Sequence, residues 1–306
     1  MHVIEFEQVD KVFAHKKALR GVSFAIPEGQ VIGLIGPSGS GKTTALRLIL
    51  NLLAPTRGEV RVFGQPPSER VADRIGYLPE ERGLYPRMSV REAARYYARL
   101  KGVDPSERTL RAWLERLDMA AHADTPVGAL SKGTAQKAQF VATVLHEPHL
   151  LVLDEPCSGL DPLSQQLMST AIASCAGQGR SVLLSTHDLA WAERMCTSVV
   201  MLHQGRKVLD GSVRAEPTAQ RASIKLAFVG ALPSLGELPG VVDCQELGNY
   251  RRLLLAPDAD PQRILWILAQ HGELSHFELE QPSLHDTFLE LAALRLESVP
   301  PGARHV

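Results

Sequence analysis

VIGLIGPSGSGKTT, Val31–Thr44, is the stretch on which the fold turns. It opens as a short apolar run closed by glycine, the pattern of a buried strand feeding a tight turn. GPSGSGKT, Gly36–Thr43, then matches the phosphate-loop pattern G-x-x-x-x-G-K-[ST] at every fixed position. The glycines permit a turn whose backbone N–H groups converge on phosphate oxygens. Pro37, Ser38, Gly39 and Ser40 fill the variable positions of the cradle, and Gly41 closes it. Lys42 adds a point charge for the β- and γ-phosphates, and the Thr43 hydroxyl can ligate Mg2+. Through Thr44 and beyond, KTTALRLILNLLAP reads as a helix that runs until Pro55 stops it.

On either side of this loop the pattern is organised. GVSFAIPEG and GEVRVFG alternate in strand fashion, with Val22, Phe24 and Ile26 on one face. Residues 89 to about 146 are helical in character, and Ser89-Val-Arg-Glu92 forms a capping box. Strand-like and helix-like runs then alternate: LLVLDEP, PLSQQLMSTAIASC, SVLLSTH, DLAWAERM, SVVMLHQG. Such alternation predicts a parallel sheet with helices on its faces. Periodicity breaks near residues 214–223, RAEPTAQRAS. Beyond it IKLAFVG, RRLLLAP, DPQRILWILAQHG and LHDTFLELAALRL suggest a small α+β unit, and the tail ESVPPGARHV reads as disordered. The expected division is 1–215, 216–298 and a tail of 299–306, with a helical subdomain at about 79–146.

Composition narrows the function classes. The 306 residues are 44% hydrophobic and 22% charged, as in a soluble globular protein of about two domains. A formal net charge of −1 advertises no nucleic-acid partner. Cys157, Cys175, Cys196 and Cys244 form no CxxC pair and read as reduced thiols, with no disulfide frame or zinc site. The start, MHVIEFEQVD, has no apolar signal core, and runs such as SVVML are far short of the roughly 18 residues of a membrane span. A protein of this kind working at a membrane needs another chain to supply the spans.

Two further strand ends carry chemistry. In LLVLDEP, Asp154 falls at the C-terminal end of a buried strand, where parallel sheets place ligands. Asp154 is suited to hold Mg2+ through water, and Glu155 to polarise an attacking water. LLSTHDL ends a second apolar strand on His187, read as a γ-phosphate contact. A second helix start, ALSKGTAQKAQ from Ala129, places a Ser, a Lys and a Gly before helical periodicity, as an anion-holding helix N-terminus does.

GPSGSGKTT, ALSKGTAQKAQ, LLVLDEPCSGLDP and LLSTHDL, in that order, resemble the ATP-binding cassette (ABC) family. The resemblance covers about residues 2–215. It implies an α/β P-loop NTPase cassette with a mixed sheet core, an antiparallel β subdomain and a helical subdomain, followed here by the small C-terminal α+β domain. It further implies ATP and Mg2+ as cofactors, hydrolysis with Glu155 and His187, and two cassettes, with a homodimer expected, closed head to tail around two ATP molecules. Leu130–Thr134 stands where the family has LSGGQ and binds the partner's γ-phosphate; Ser131 and Gly133 are kept, Lys132 and Thr134 depart. Phe13 stands where the family stacks an aromatic on adenine, the alternative being a core Phe. Asp161 matches the loop that crosses the interface. Glu80 stands where most members have Gln, and can reach a metal through water but cannot donate a hydrogen bond when ionised.

LPEERGLYP, LSKG and the C-terminal PSLHDTFLELA together resemble cassettes of ABC-2-type exporters of the sodium-extrusion and drug-export kind. That implies a cytoplasmic ATPase, peripheral on the cell membrane and driving a separate integral-membrane permease. Residues Glu80–Pro86 and the helices of 89–118 are expected to meet the permease. Soluble ABC ATPases of DNA repair carry long coiled-coil insertions between phosphate loop and signature, absent here. Tandem translation factors need two phosphate loops, and a non-hydrolysing regulator would not need all of Lys42, Asp154, Glu155 and His187. For the C-terminal unit two readings stand, a packing or dimerisation appendage and a ligand sensor.

Overall fold

The computed structural model describes residues 2–14, 16–81, 83–213, 222–229, 234, 238–280 and 284. The chain forms two compact units, Met1–Arg214 and Ala215–Val306. In chain order the first contains β1 (His2–Phe13), β2 (Lys16–Pro27), β3 (Val31–Ile35), α1 (Lys42–Ile49), β4 (Arg57–Val62), α2 (Glu69–Ala72), β5 (Ile75–Leu78), α3 (Val90–Leu100) and α4 (Glu107–Arg116). It continues with α5 (Lys132–Val144), β6 (Leu150–Asp154), α6 (Pro162–Gly177), β7 (Ser181–Thr186), α7 (Leu189–Met195), β8 (Ser198–His203) and β9 (Arg206–Ser212).

Six strands make the central sheet in the order β5-β6-β7-β3-β8-β9. The first five run parallel, and β9 returns antiparallel along β8. β3, β6 and β7 are buried at every residue, which is why their middles read as short apolar runs rather than alternations. A second, antiparallel sheet of order β2-β1-β4 lies against the first. One core joins them through α1: Phe6 stacks on Phe24 at 4.4 Å between centroids, and Leu46 and Ile49 belong to the same cluster as Leu34, Val152 and Leu183.

The helical subdomain is built as its sequence suggests. Ser89 caps α3, accepting the Glu92 N–H while Glu92 accepts the Ser89 N–H. Within α5 the residues from Ala135 to Val144 are all buried, and Phe140 meets the Trp113 ring of α4 edge-on at 6.1 Å. One expectation fails. α1 stops at Ile49, six residues before Pro55. Asn51 takes a left-handed φ of +58°, and the Leu52 N–H closes on the Arg47 carbonyl at 2.9 Å. Asn tolerates that conformation through its short polar side chain, so it ends the helix before proline can.

The second unit is an antiparallel sheet of order β11-β12-β10-β13, from β10 (Ser223–Val229), β11 (Val241–Leu247), β12 (Tyr250–Leu255) and β13 (Glu273–Glu280), with α8 (Pro261–His271). α8 buries Ile264 and Leu268 in one cluster with Ile224, Leu226, Leu253 and Leu255. Most of the linker 214–223, the run after Leu284 and the tail 299–306 lie outside the described residues.

His146, just beyond α5, is held by burial at a pKa of about 4, against an ordinary 6.5. The unfolded chain therefore takes up a proton below about 6.5 that the folded chain refuses until about 4, so this group's effect lowers stability as pH falls through that window. The urea midpoint should drop between pH 7 and 4.5, and His146→Gln should make that drop shallower. An equal drop in the variant would contradict the assignment.

Candidate functional site

The phosphate loop is fixed by what glycine alone tolerates. Gly36 has φ +144°, and a Cβ there would lie 2.1 Å from the Leu202 carbonyl oxygen of β8. Gly41, φ +111°, begins α1 without any side-chain cap, with the Ala18 carbonyl oxygen 2.8 Å from where its Cβ would be. The first N–H groups of α1 are thus left without a side-chain acceptor, as an anion site at a helix N-terminus requires. Pro37, Ser38 and Gly39 are exposed along the loop's rim, and Thr43 and Thr44 are half-buried. The Ser40 hydroxyl is buried with no hydrogen-bond partner among the described residues.

Lys42 is buried and folded back on its own loop, donating to the Gly36 carbonyl at 2.7 Å and the Pro37 carbonyl at 3.2 Å. Burial pulls its pKa down, and the carboxylates of Glu155, Asp154 and Glu80 pull it back up. These four charges form one electrostatic group. A cation held by neutral carbonyls and faced by acids is poised to exchange those contacts for phosphate oxygens.

Asp154 ends β6 and is 2% exposed, directly opposite Ser185 of β7. The Ser185 hydroxyl donates to Asp154 Oδ1 and accepts the Glu155 N–H at 3.1 Å. Glu155 itself takes a left-handed φ of +48°, costly for a residue with a Cβ and held here by that bond and by the Ser185 carbonyl at 3.2 Å. The turn aims its carboxylate at His187, whose Nδ1 lies 2.9 Å from Glu155 Oε1. Glu155 is buried and the His187 side chain is 62% exposed. Such a pair can orient a carboxylate base while leaving its second oxygen for water.

Other residues singled out by sequence stand apart from this group. Phe13 ends β1, 42% exposed, with the Lys11 ammonium 5.0 Å from its ring centre. It is no core residue. Ser131 caps α5, its hydroxyl accepting the Thr134 N–H at 3.1 Å and meeting the Thr134 hydroxyl at 2.7 Å. Lys132 lies along the turn that precedes α6, with Nζ 3.2 Å from where a Gly159 Cβ would be, and Gly133 faces Leu160. Asp161 caps α6, accepting the Ser164 N–H at 3.0 Å, and the Ser164 backbone and hydroxyl hold its carboxyl below the usual range. Among the described residues no hydrogen bond joins Phe13, Ser131, Gly133 or Asp161 to the Lys42 group. Arg82 lies outside the described residues. Ser185 escaped the sequence reading, although a polar residue inside the apolar LLSTH run was a signal.

Loop, paired acids and strand order are those of a P-loop ATPase. Residues 19–158 match the model of the ABC transporter family, and residues 212–292 match that of the ATP-binding protein DrrA1-3-like, C-terminal domain. The ABC transporter ATP-binding protein YhaQ of Bacillus subtilis (strain 168) is 39% identical over 291 residues, 94% of this chain and 98% of its own. Nod factor export ATP-binding protein I of Paraburkholderia xenovorans (strain LB400) is 30% identical over 302 residues, 96% of this chain and 98% of its own. A solved ATP-binding subunit of an ABC transporter superposes with a TM-score of 0.64 at 31% identity, over 69% of this chain and 90% of that one. A bacterial cassette solved as a dimer matches in fold, with a TM-score of 0.64 at 23% identity over 70% of this chain and 100% of that one. The chain belongs to the ABC transporter family of ATP-binding proteins. Members of that family are ATPases, and this chain is one of them.

Ser185→Ala would leave Asp154 Oδ1 and the Glu155 N–H without their shared hydroxyl. Turnover should fall about tenfold, with nucleotide affinity within about twofold and Ser185→Thr largely restored. Unchanged kcat in purified Ser185→Ala would show that the hydroxyl does not hold the acids in place.

Proposed function

We propose that the chain is the ATP-hydrolysing subunit of an ABC-2-type exporter, two copies closing head to tail around two MgATP. The observation that carries the hydrolytic reading is the Glu155–His187 pair facing Lys42, with Asp154 beside it. Lys42 and the first-turn N–H groups of α1 bind the phosphates, and Phe13 offers an exposed ring to adenine. Glu155 takes the proton of the attacking water, and His187 keeps its carboxylate turned toward the γ-phosphate. Ser131, Gly133 and Asp161 belong to the face that meets the other copy.

The donors suit Mg2+. Thr43 and Asp154 offer hard oxygens, with Glu80 within electrostatic reach of the same Lys42 ammonium. Among the described residues no cluster of three or more His, Cys, Asp or Glu could hold a metal alone. That suits an ion that takes its other ligands from phosphate and water. When bound, Mg2+ would neutralise charge developing on the β- and γ-phosphates.

Export is supported by the kinship with Nod factor export ATP-binding proteins and by the DrrA-like C-terminal domain. The cargo is chosen by the permease. No helix among the described residues is long and apolar enough to cross a membrane. The kinship with export ATP-binding proteins supports a peripheral subunit on the cytoplasmic face. A groove of about 390 Å3 beside the turn after β5 offers the permease an apolar seat, lined by Leu52, Pro79, Leu84, Tyr97 and Ala142. Leu52, Tyr85 and Leu100 are large exposed apolar residues of the same unit.

Glu155→Gln keeps the shape but cannot accept the water's proton. ATP binding should persist while turnover falls about 10²–10⁴-fold. Near-parental steady-state ATPase in the purified variant would overturn the assignment of the base.

A further inference from the structure

Midway along α5 sits a buried amide that the catalytic group does not use. Gln139 is 3% exposed in a helix whose other inward residues are mostly apolar. Its Oε1 accepts the Gly83 N–H at 3.0 Å, and its Nε2 donates to the carbonyls of Pro79 at 3.3 Å and Glu81 at 3.2 Å. An N–H on one side and two carbonyls on the other fix which end of the amide is which. All three bonds land on the turn that follows β5, at Pro79, Glu81 and Gly83, and Glu80 lies between the first two. From α3 the Tyr97 hydroxyl donates to the Gly83 carbonyl at 2.6 Å. One helical turn past Gln139, the Thr143 hydroxyl donates to the Tyr77 carbonyl at 3.2 Å.

The other end of α5 is Ser131. Eight residues separate it from Gln139, about 12 Å at 1.5 Å per residue. A helix so completely buried cannot bend at that spacing without losing packing, so it shifts as a body. Its N-cap and its middle serve different nucleotides under the reading proposed above. Glu80 faces the Lys42 of its own subunit, and Ser131 serves the cradle of the partner.

We propose that Gln139 is a positioning residue that clamps the turn carrying Glu80 to α5, so that the nucleotide in a subunit's own cradle sets the placement of Ser131 for its partner. The clamp rests on the head-to-tail reading and adds a coupling to it, between a subunit's own site and its partner's, reciprocal as binding linkage requires. An apolar residue of the same size would fill the space but take the side-chain partner from the Gly83 N–H and two carbonyls, untying the turn from α5. The turn could then respond to nucleotide without moving α5.

The test uses the full chain carrying Glu155→Gln, so that ATP persists, and reads dimer formation by sedimentation with MgATP. Binding of a fluorescent ATP analogue is measured on the monomer at low protein concentration. Gln139→Leu should leave monomer affinity within about twofold and raise the dimerisation midpoint about tenfold, the size of a lost buried hydrogen bond or two. Glu80→Ala should raise it as well. The decisive result is the double variant, which should dimerise no worse than the weaker single one, because both act through one turn. Tyr97→Phe should shift the midpoint about threefold in the same direction, again without adding to Glu80→Ala. Should Gln139→Leu fail to fold, Tyr97→Phe carries the same test. Multiplying effects, or parental dimerisation in both variants, would overturn the clamp. A parent that never dimerises with MgATP would overturn the head-to-tail reading, and the clamp with it.

Discussion

Parallel hydrogen bonding among β6, β7 and β3 sets Asp154 opposite Ser185 and Ile35 opposite Thr186. Because side chains alternate along a strand, a slip of one residue would turn Asp154 into the sheet's other face and carry the Glu155 turn away from His187. The three strands end together, one in the phosphate loop, one in the paired acids and one in the histidine. Burial at every residue of the three pins the register. The same burial lowers the Lys42 pKa and raises the worth of its acidic neighbours. Core and site are therefore one construction, with the chemistry placed at the edge of the sheet where the parallel strands end.

Two helix N-termini do different work on this frame. α1 begins at a glycine with no side chain to offer, so its first N–H groups await an anion. α5 begins at Ser131, whose hydroxyl already takes one N–H from Thr134. Under the proposed head-to-tail pairing, this capped helix start would hold an anion less strongly on its own than the start of α1. The Lys132 side chain runs along Gly159. Asp161, at the head of α6, is stabilised by its own cap before any partner arrives.

Much of the site was legible because its residues are contiguous. The phosphate loop is one run of the chain, and the acids and His187 end short apolar strands. What escaped is what depends on distant partners. Ser185 acts on residues about 30 positions earlier, and Gln139 holds a turn nearly 60 positions before it, separations that leave no periodicity to read. The early end of α1 turned on one left-handed Asn, a weaker signal than the proline that follows. β11 and β13 lie at the two edges of their sheet and are largely exposed, so they lack the apolar alternation that marked β10 and β12. Phe13 could have been core or surface by sequence, and its exposure decides that point alone.

Whether Ser131 of one copy reaches the phosphate loop of another is the point on which the account stands. A helix N-terminus, worth about half a positive charge, acts only over its first turn, so the two must come within hydrogen-bonding distance of one γ-phosphate. In a background with the four native cysteines replaced and Glu155→Gln in place, one tagged pool carries Ser38→Cys and a differently tagged pool Ser131→Cys. Mild oxidation should give a disulfide-linked species bearing both tags with MgATP, fading without nucleotide. Pools that associate with MgATP yet form no link, at this pair or its immediate neighbours, would contradict the arrangement and leave Ser131 as the cap of an ordinary helix.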